Sequence, residues 1–319
     1  MDDGTLIEMA SPYVNSNILL SGNDFLLPFL NTCANFVDNP DEADFILALN
    51  SSEKDAAQSL KDQRRYSKPI AWWTIEDPNW FEAFIDQARQ ADYIFTSDEA
   101  CIPQYRNLLK HDNIFWLPLA CSPEFHYPLP LDARARHLVL SGNWYNNGAR
   151  LWAVRTVLDP LLGIGYTLSL FCYESFMWPY PYRPFWCGEK HYLTTADQYR
   201  YGSIVIGMNN QHSGFDGHAK TYMTSMRTFE ALACGKPFLS SHSDAYERLG
   251  FLNGTHMVWV NTQTESVAWA ERLMSSEGKR IAESGRRYVL KHHTYAHRLK
   301  RIEQIVLGRG CTDCGMGIR

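Results

Sequence analysis

The sequence predicts an α/β protein of two halves, each built on a parallel sheet, and three observations carry that reading. Short apolar runs alternate with helix-like stretches, a proline-rich interruption splits the alternation near its middle, and 319 residues suit about two domains of roughly 150 residues each. With 45% hydrophobic and 20% charged side chains, the chain can bury a substantial core, which argues against disorder. Lys and Arg number 30 against 35 Asp and Glu, for a net charge of -5. No strongly basic block occurs, so a phosphate-driven nucleic-acid footprint is disfavoured. Aromatics make up 13%, which suits a site enclosing a flat or sugar-like ligand as well as it suits a core.

The elements follow in order. The opening MDDGTLIEMASPYVNSNILL is acidic and lacks the basic and apolar regions of a signal peptide. No run of about 18 apolar residues follows, so no membrane span and a cytoplasmic location are expected. Apolar runs at 17–20, 45–49, 70–73, 93–95 and 115–117 are bounded by polar residues, with helix-like stretches at 53–64 and 80–89. Runs without polar alternation read as strands buried on both faces, hence βαβ units. Residues 118–136, PLACSPEFHYPLPLDARAR, carry four prolines and read as a linker. The alternation restarts at His137–Ser141 and continues with a helix over 149–162 and strands over 167–171, 204–208 and 237–240. A cleft at the carboxyl ends of the strands is the expected ligand site.

The densest chemistry lies in Ser225–Pro237, SMRTFEALACGKP. Ser225 is a candidate N-cap, and Gly235 with Pro237 marks the stop. Arg227 and Glu230 share a face three residues apart. They read equally well as a local ion pair or as a site, with Glu230 on a ribose diol and Arg227 on phosphate at the helix start. The turn Gly142, Asn143, Trp144, with Arg150 beyond it, is a second phosphate or sugar candidate, since a glycine lets backbone amides approach a ligand. Glu76 and Asp77, after the 70–73 strand, are the candidate general base or a helix N-cap. No Walker loop occurs, which argues against a P-loop kinase or ATPase, and no D-x-D triplet occurs, which favours neutralising a phosphate group with Arg or Lys rather than with a metal. Eight scattered cysteines suit reduced thiols. The pair Cys311 and Cys314 offers half a zinc site, and His292, His293 and His297 lack the glutamate of a zinc protease helix.

Glu230-Ala-Leu-Ala-Cys-Gly-Lys-Pro237 resembles the donor-site helix of GT-B glycosyltransferases of the glycogen-synthase-like group. The longer Arg227–Gly235 string is similar to the CgeB-like family of spore-maturation-type glycosyltransferases. Trp73–Pro78, Ala91–Asp98 and Gly285–Arg298 agree with that family, in order. The resemblance implies a GT-B fold: an N-terminal Rossmann-like domain over 1–125, a donor domain over 136–290, a helix over 291–308 crossing back to the first domain, and a tail over 309–319. It implies a nucleotide-sugar donor, no further cofactor, no metal, and transfer to an acceptor hydroxyl, with retention favoured. The acceptor stays open among glycan, protein, small molecule and modified DNA. Relatives often carry a second acid eight positions before the helix glutamate. Tyr222 stands there, so a two-carboxylate site is not carried over. Residues and resemblance together propose Arg227, Glu76 and Asp77 as catalytic, and Gly142, Asn143, Trp144, Arg150, Lys220, Tyr222, Ser225, Thr228 and Glu230 as donor-binding. The alternatives are an epimerase on the same fold and a nucleotide-sugar-binding protein without turnover.

Overall fold

A computed structural model describes residues 14–21, 26–49, 55–130, 135–145, 148–189, 191–208 and 221–309. The first half runs β1 (Asn17–Ser21), α1 (Leu27–Leu30), β2 (Asn35–Phe36), β3 (Phe45–Leu49), α2 (Ala56–Gln63), β4 (Ile70–Thr74), α3 (Phe81–Ala88), β5 (Tyr93–Thr96), α4 (Ile102–Leu109) and β6 (Ile114–Trp116). The second half runs β7 (His137–Ser141), α5 (Gly148–Ala153), a π-helical turn (Val154–Leu158), α6 (Asp159–Gly163), β8 (Thr167–Phe171), β9 (Trp186–Gly188), α7 (Thr195–Arg200) and β10 (Ile204–Gly207). It continues with α8 (Met226–Ala233), β11 (Phe238–Ser241), α9 (Asp244–Arg248), β12 (Val258–Val260), α10 (Gln263–Leu273), α11 (Ser276–His292) and α12 (Tyr295–Val306).

The strands form two six-stranded sheets, in the orders β2-β1-β3-β4-β5-β6 and β12-β11-β10-β7-β8-β9. Every pairing is parallel, and among the described residues no strand of either sheet lies between β6 and β7. Strands β3, β4 and β7 are buried at all five positions, which is why they read as unbroken apolar runs. The short edge strands β2 and β9 are exposed or half-buried instead.

The chain's end returns to the first half. Thr294 caps α12 in a reciprocal capping box with His297, and Tyr295 stacks on Phe29 of α1 with ring centroids 5.6 Å apart. Arg298, fully buried, donates to the carbonyls of Pro118 (2.8 Å) and Leu119 (3.0 Å) and to His293 Nδ1 (2.9 Å). His293 therefore carries its proton on Nε2, which faces the Leu249 carbonyl at 3.1 Å. Burial holds His293 well below its ordinary pKa, so the ring stays neutral. Ser16 of the first half hydrogen-bonds Glu303. One core cluster joins the halves: Phe29, Trp73 and Phe95 belong to the same packed group as Val139, Phe229, Phe238 and Tyr295.

Because Phe29 packs on Phe125, His126 and Tyr295 at once, Phe29→Ala is expected to cost about 3–5 kcal/mol. Urea unfolding followed by fluorescence should still show one transition, shifted as a whole. Two transitions, with only the earlier one moved, would show that the shared core does not couple the halves.

Candidate functional site

In the second sheet the chain leaves β7 toward β8 on one side, while β10 flanks β7 on the other. The carboxyl ends of β7 and β10 therefore bound the topological switch point, where open α/β sheets bind ligands. Gly142 follows β7, and the loop after β10 leads into α8. The two most informative stretches of the sequence thus meet at one place.

They meet through Arg227 and Gly142. A Cβ added to Gly142 would lie 1.9 Å from Arg227 Nη2, so any side chain there would displace the guanidinium from this position. The Gly142 amide is already used: its N–H donates to the Phe171 carbonyl (2.7 Å), and its carbonyl accepts from Trp178 Nε1 (3.0 Å). The glycine therefore admits an arginine rather than offering its own amide to a ligand, a correction to the sequence reading. Arg227 is the second residue of α8, whose N-cap Ser225 makes no side-chain cap bond. The first-turn amides and the positive end of the helix dipole lie beside the guanidinium. Arg227 is only 4% exposed, and its Nε and Nη1 have no hydrogen-bond partner among the described residues. Arg150, 2% exposed, lies close enough for the charges to oppose. Burial, and then the Arg227 charge, pull the Arg150 guanidinium down to about 9. Two buried cations held together are costly unless an anion joins them.

Glu230 faces elsewhere, and no ion pair joins it to Arg227 among the described residues. Tyr199 of α7 donates to Glu230 Oε2 at 3.1 Å, and His126 Nε2 lies 3.7 Å from Oε1. His126 Nδ1 accepts the Ser122 amide (3.0 Å), so the neutral ring carries its proton toward Glu230. Burial, and then the Glu230 charge, push the Tyr199 hydroxyl well up, which keeps it a donor. His126 comes from the proline-rich segment, which by sequence was a plain connector. No local motif marks it.

The remaining candidates are scattered. Asn143 Oδ1 accepts the Tyr173 amide (3.1 Å), and Trp144 packs edge-on against Trp178 at 5.2 Å. Both brace the Gly142 turn from outside. Thr228 is buried within α8, and Lys220 lies outside the described residues, as do Cys311 and Cys314. Glu76 is half-buried at the end of β4. Asp77 is fully buried, accepting from Thr96 Oγ1 (2.5 Å) and the Tyr105 hydroxyl (3.1 Å). Its oxygens are engaged inside the first half, a structural post rather than the cleft-facing base that the sequence suggested. Tyr222 is also drawn aside. Its amide donates to Asp98 Oδ1 (2.8 Å) and its hydroxyl accepts from Arg248 Nη2 (3.2 Å).

Two parallel Rossmann-like units with a cationic helix start at the second switch point define the GT-B fold. Residues 156–304 match the family model described as glycosyl transferase-like. Among solved structures the chain is similar to HepE of Anabaena in complex with UDP and glucose, at 9% identity and a TM-score of 0.59, covering 92% of this chain and all of that one. It is also similar to a glycosyltransferase of Rickettsia africae, at 11% identity and 0.56, covering 92% and 90%. TarM aligns at 8% identity and 0.58, over 82% of this chain and 54% of that one. No curated protein matches the sequence. No helix among the described residues is long and apolar enough to cross a membrane.

Asp77 makes stability depend on pH. Burial outweighs its hydrogen bonds and raises its carboxyl to about 7, against about 3.9 in an unfolded chain. The stabilisation from the protonated form is complete below about pH 4 and disappears as pH rises through about 7. Asp77→Asn, which cannot ionise, is expected to gain on the wild type between pH 5 and pH 8, by a few kcal/mol at most. Melting curves at the two pH values check this, and an equal difference at both would rule out Asp77 ionisation.

Proposed function

We propose that the protein moves a sugar from a nucleoside-diphosphate sugar to an acceptor hydroxyl, as a CgeB-like glycosyltransferase, without a divalent metal. One observation carries the reading: Arg227 and Arg150 lie buried together at the switch point, with two Arg227 nitrogens unpartnered among the described residues. A diphosphate fits that charge, and the α8 start adds its amides and dipole. As the glycosidic bond breaks, negative charge grows on the departing diphosphate, and these groups stabilise it where it develops. The UDP bound to HepE supports a donor of this class.

Glu230 serves the ribose in this reading, through Oε1, which accepts no hydrogen bond from the described residues. Tyr199 holds the other oxygen and orients the carboxylate. The resemblance favours a retaining route, in which the leaving diphosphate itself takes the acceptor's proton.

The test is a panel of UDP-, GDP-, ADP- and CMP-sugars, followed by thermal shift and by release of free nucleotide. Turnover with one donor is expected to survive EDTA. Arg227→Ala should lose about a hundredfold in rate, matching roughly 3 kcal/mol of lost charge stabilisation. Glu230→Ala should weaken nucleotide binding by about 1–3 kcal/mol. Activity abolished by EDTA and restored by magnesium or manganese would refute the metal-free mechanism. Binding without release across the panel would leave a nucleotide-sugar-binding protein.

A further inference from the structure

The loop that delivers Arg227 to its site is held from the other half of the molecule. Asp98 lies just past β5, at the carboxyl edge of the first sheet. Its Oδ2 accepts the Thr221 hydroxyl, and its Oδ1 accepts both the Tyr222 amide (2.8 Å) and the Ala100 amide (3.0 Å). Next to it Glu99 pairs with Arg248, whose guanidinium lies 4.0 Å over the Tyr222 ring and donates to its hydroxyl. Asp98 of the first half therefore grips residues 221 and 222 of the second directly, and Glu99 reaches Tyr222 only through Arg248. The backbone of Asp98 is braced in turn, because the Thr96 hydroxyl that donates to Asp77 also accepts the Asp98 amide at 3.2 Å.

Residues 221 and 222 stand six and five positions before Arg227. Between them Thr224 is buried, and Met226 receives the Tyr295 hydroxyl on its sulfur at 3.0 Å. Among the described residues Ser225 makes no side-chain cap bond at the start of α8, which leaves residues 221–224 and Met226 to set it. Arg227 needs that help. An enclosed guanidinium with unpartnered nitrogens gains by swinging toward water, and it stays only while the chain before it is held.

We propose that Asp98 is a positioning residue: by holding Thr221 and Tyr222 from the first half, it keeps Arg227 at the switch point, so that anion binding in the second half depends on the docking of the first. The inference rests on the reading that Arg227 receives a diphosphate. Linkage makes the dependence reciprocal, and an anion seated on Arg227 tightens the contact between the halves.

Inorganic pyrophosphate is the probe, since it carries the diphosphate without base or sugar. Titration calorimetry compares the wild type, Asp98→Ala, Arg227→Ala and the double variant. Asp98→Ala is expected to weaken pyrophosphate on the order of tenfold, and to weaken it no further once Arg227 is absent. A merely structural Asp98 would lower the melting temperature and leave that affinity unchanged. A second arm uses the half-exposed pair: Glu99→Arg or Arg248→Glu alone should weaken binding, and the two together should restore it. That arm decides the matter if Asp98→Ala does not fold. Equal affinity for Asp98→Ala and wild type, additive losses in the double variant, or no rescue by the paired reversal would overturn the proposal. Failure of Arg227→Ala itself to weaken pyrophosphate would instead overturn the diphosphate reading.

Discussion

A guanidinium buried with two of its nitrogens bonded to nothing among the described residues is the constraint around which the second half is organised. Arg227 lies at that point, and its neighbours look arranged for its sake. Gly142 gives up a side chain to make room. Trp178 and Phe171 hold the Gly142 backbone so that the room persists. Arg150 adds a second buried cation where electrostatics alone would place a carboxylate. A protein that needed only stability would replace this pair with apolar side chains of the same volume. On the proposed reading, an anion seated in the gap offsets that cost.

Helix α8 is the hub through which that arrangement reaches the rest of the molecule. All eight of its residues are buried, so each one answers to a different neighbour. Met226 meets Tyr295, which stacks on Phe29. Phe229 packs near Phe251 and His293, and Glu230 meets Tyr199 and His126. These contacts come from α7, the segment after α9, the end of α11, α12 and the connecting segment, and Tyr295 carries them on to Phe29 of the first half, so that a single core cluster crosses between the sheets.

Much of this was legible in the sequence, and the parts that were not share a cause. The interior strands were visible because a strand covered on both faces must be apolar throughout. The short strands β2, β9 and β12, of two, three and three residues, leave too little pattern to read. The start of α8 and the Gly142 turn were recognisable as chemistry. That the glycine exists for Arg227, and that Arg227 turns away from Glu230, depends on packing between stretches some 85 residues apart, and no local spacing carries it. His126 and Asp98 were invisible for the same reason. Each acts on a partner more than 100 residues away. Glu76–Asp77 shows the converse error, since two acids after a strand resemble a base until burial shows where Asp77 points its oxygens.

The return of α12 to the first half also bears on how such proteins can be recombined. The Cys121 backbone pairs with Thr294, and the Arg298 guanidinium binds the carbonyls of Pro118 and Leu119, so the last helix is fastened to the strand exit of the first sheet by a backbone bridge and by one buried arginine. A chimera that took residues 1–121 from this chain and the remainder from a relative would sever Phe29 from Tyr295 and Ser16 from Glu303. The natural unit of exchange is discontinuous: the first half travels with residues 293–309, and the second half is the insert between them.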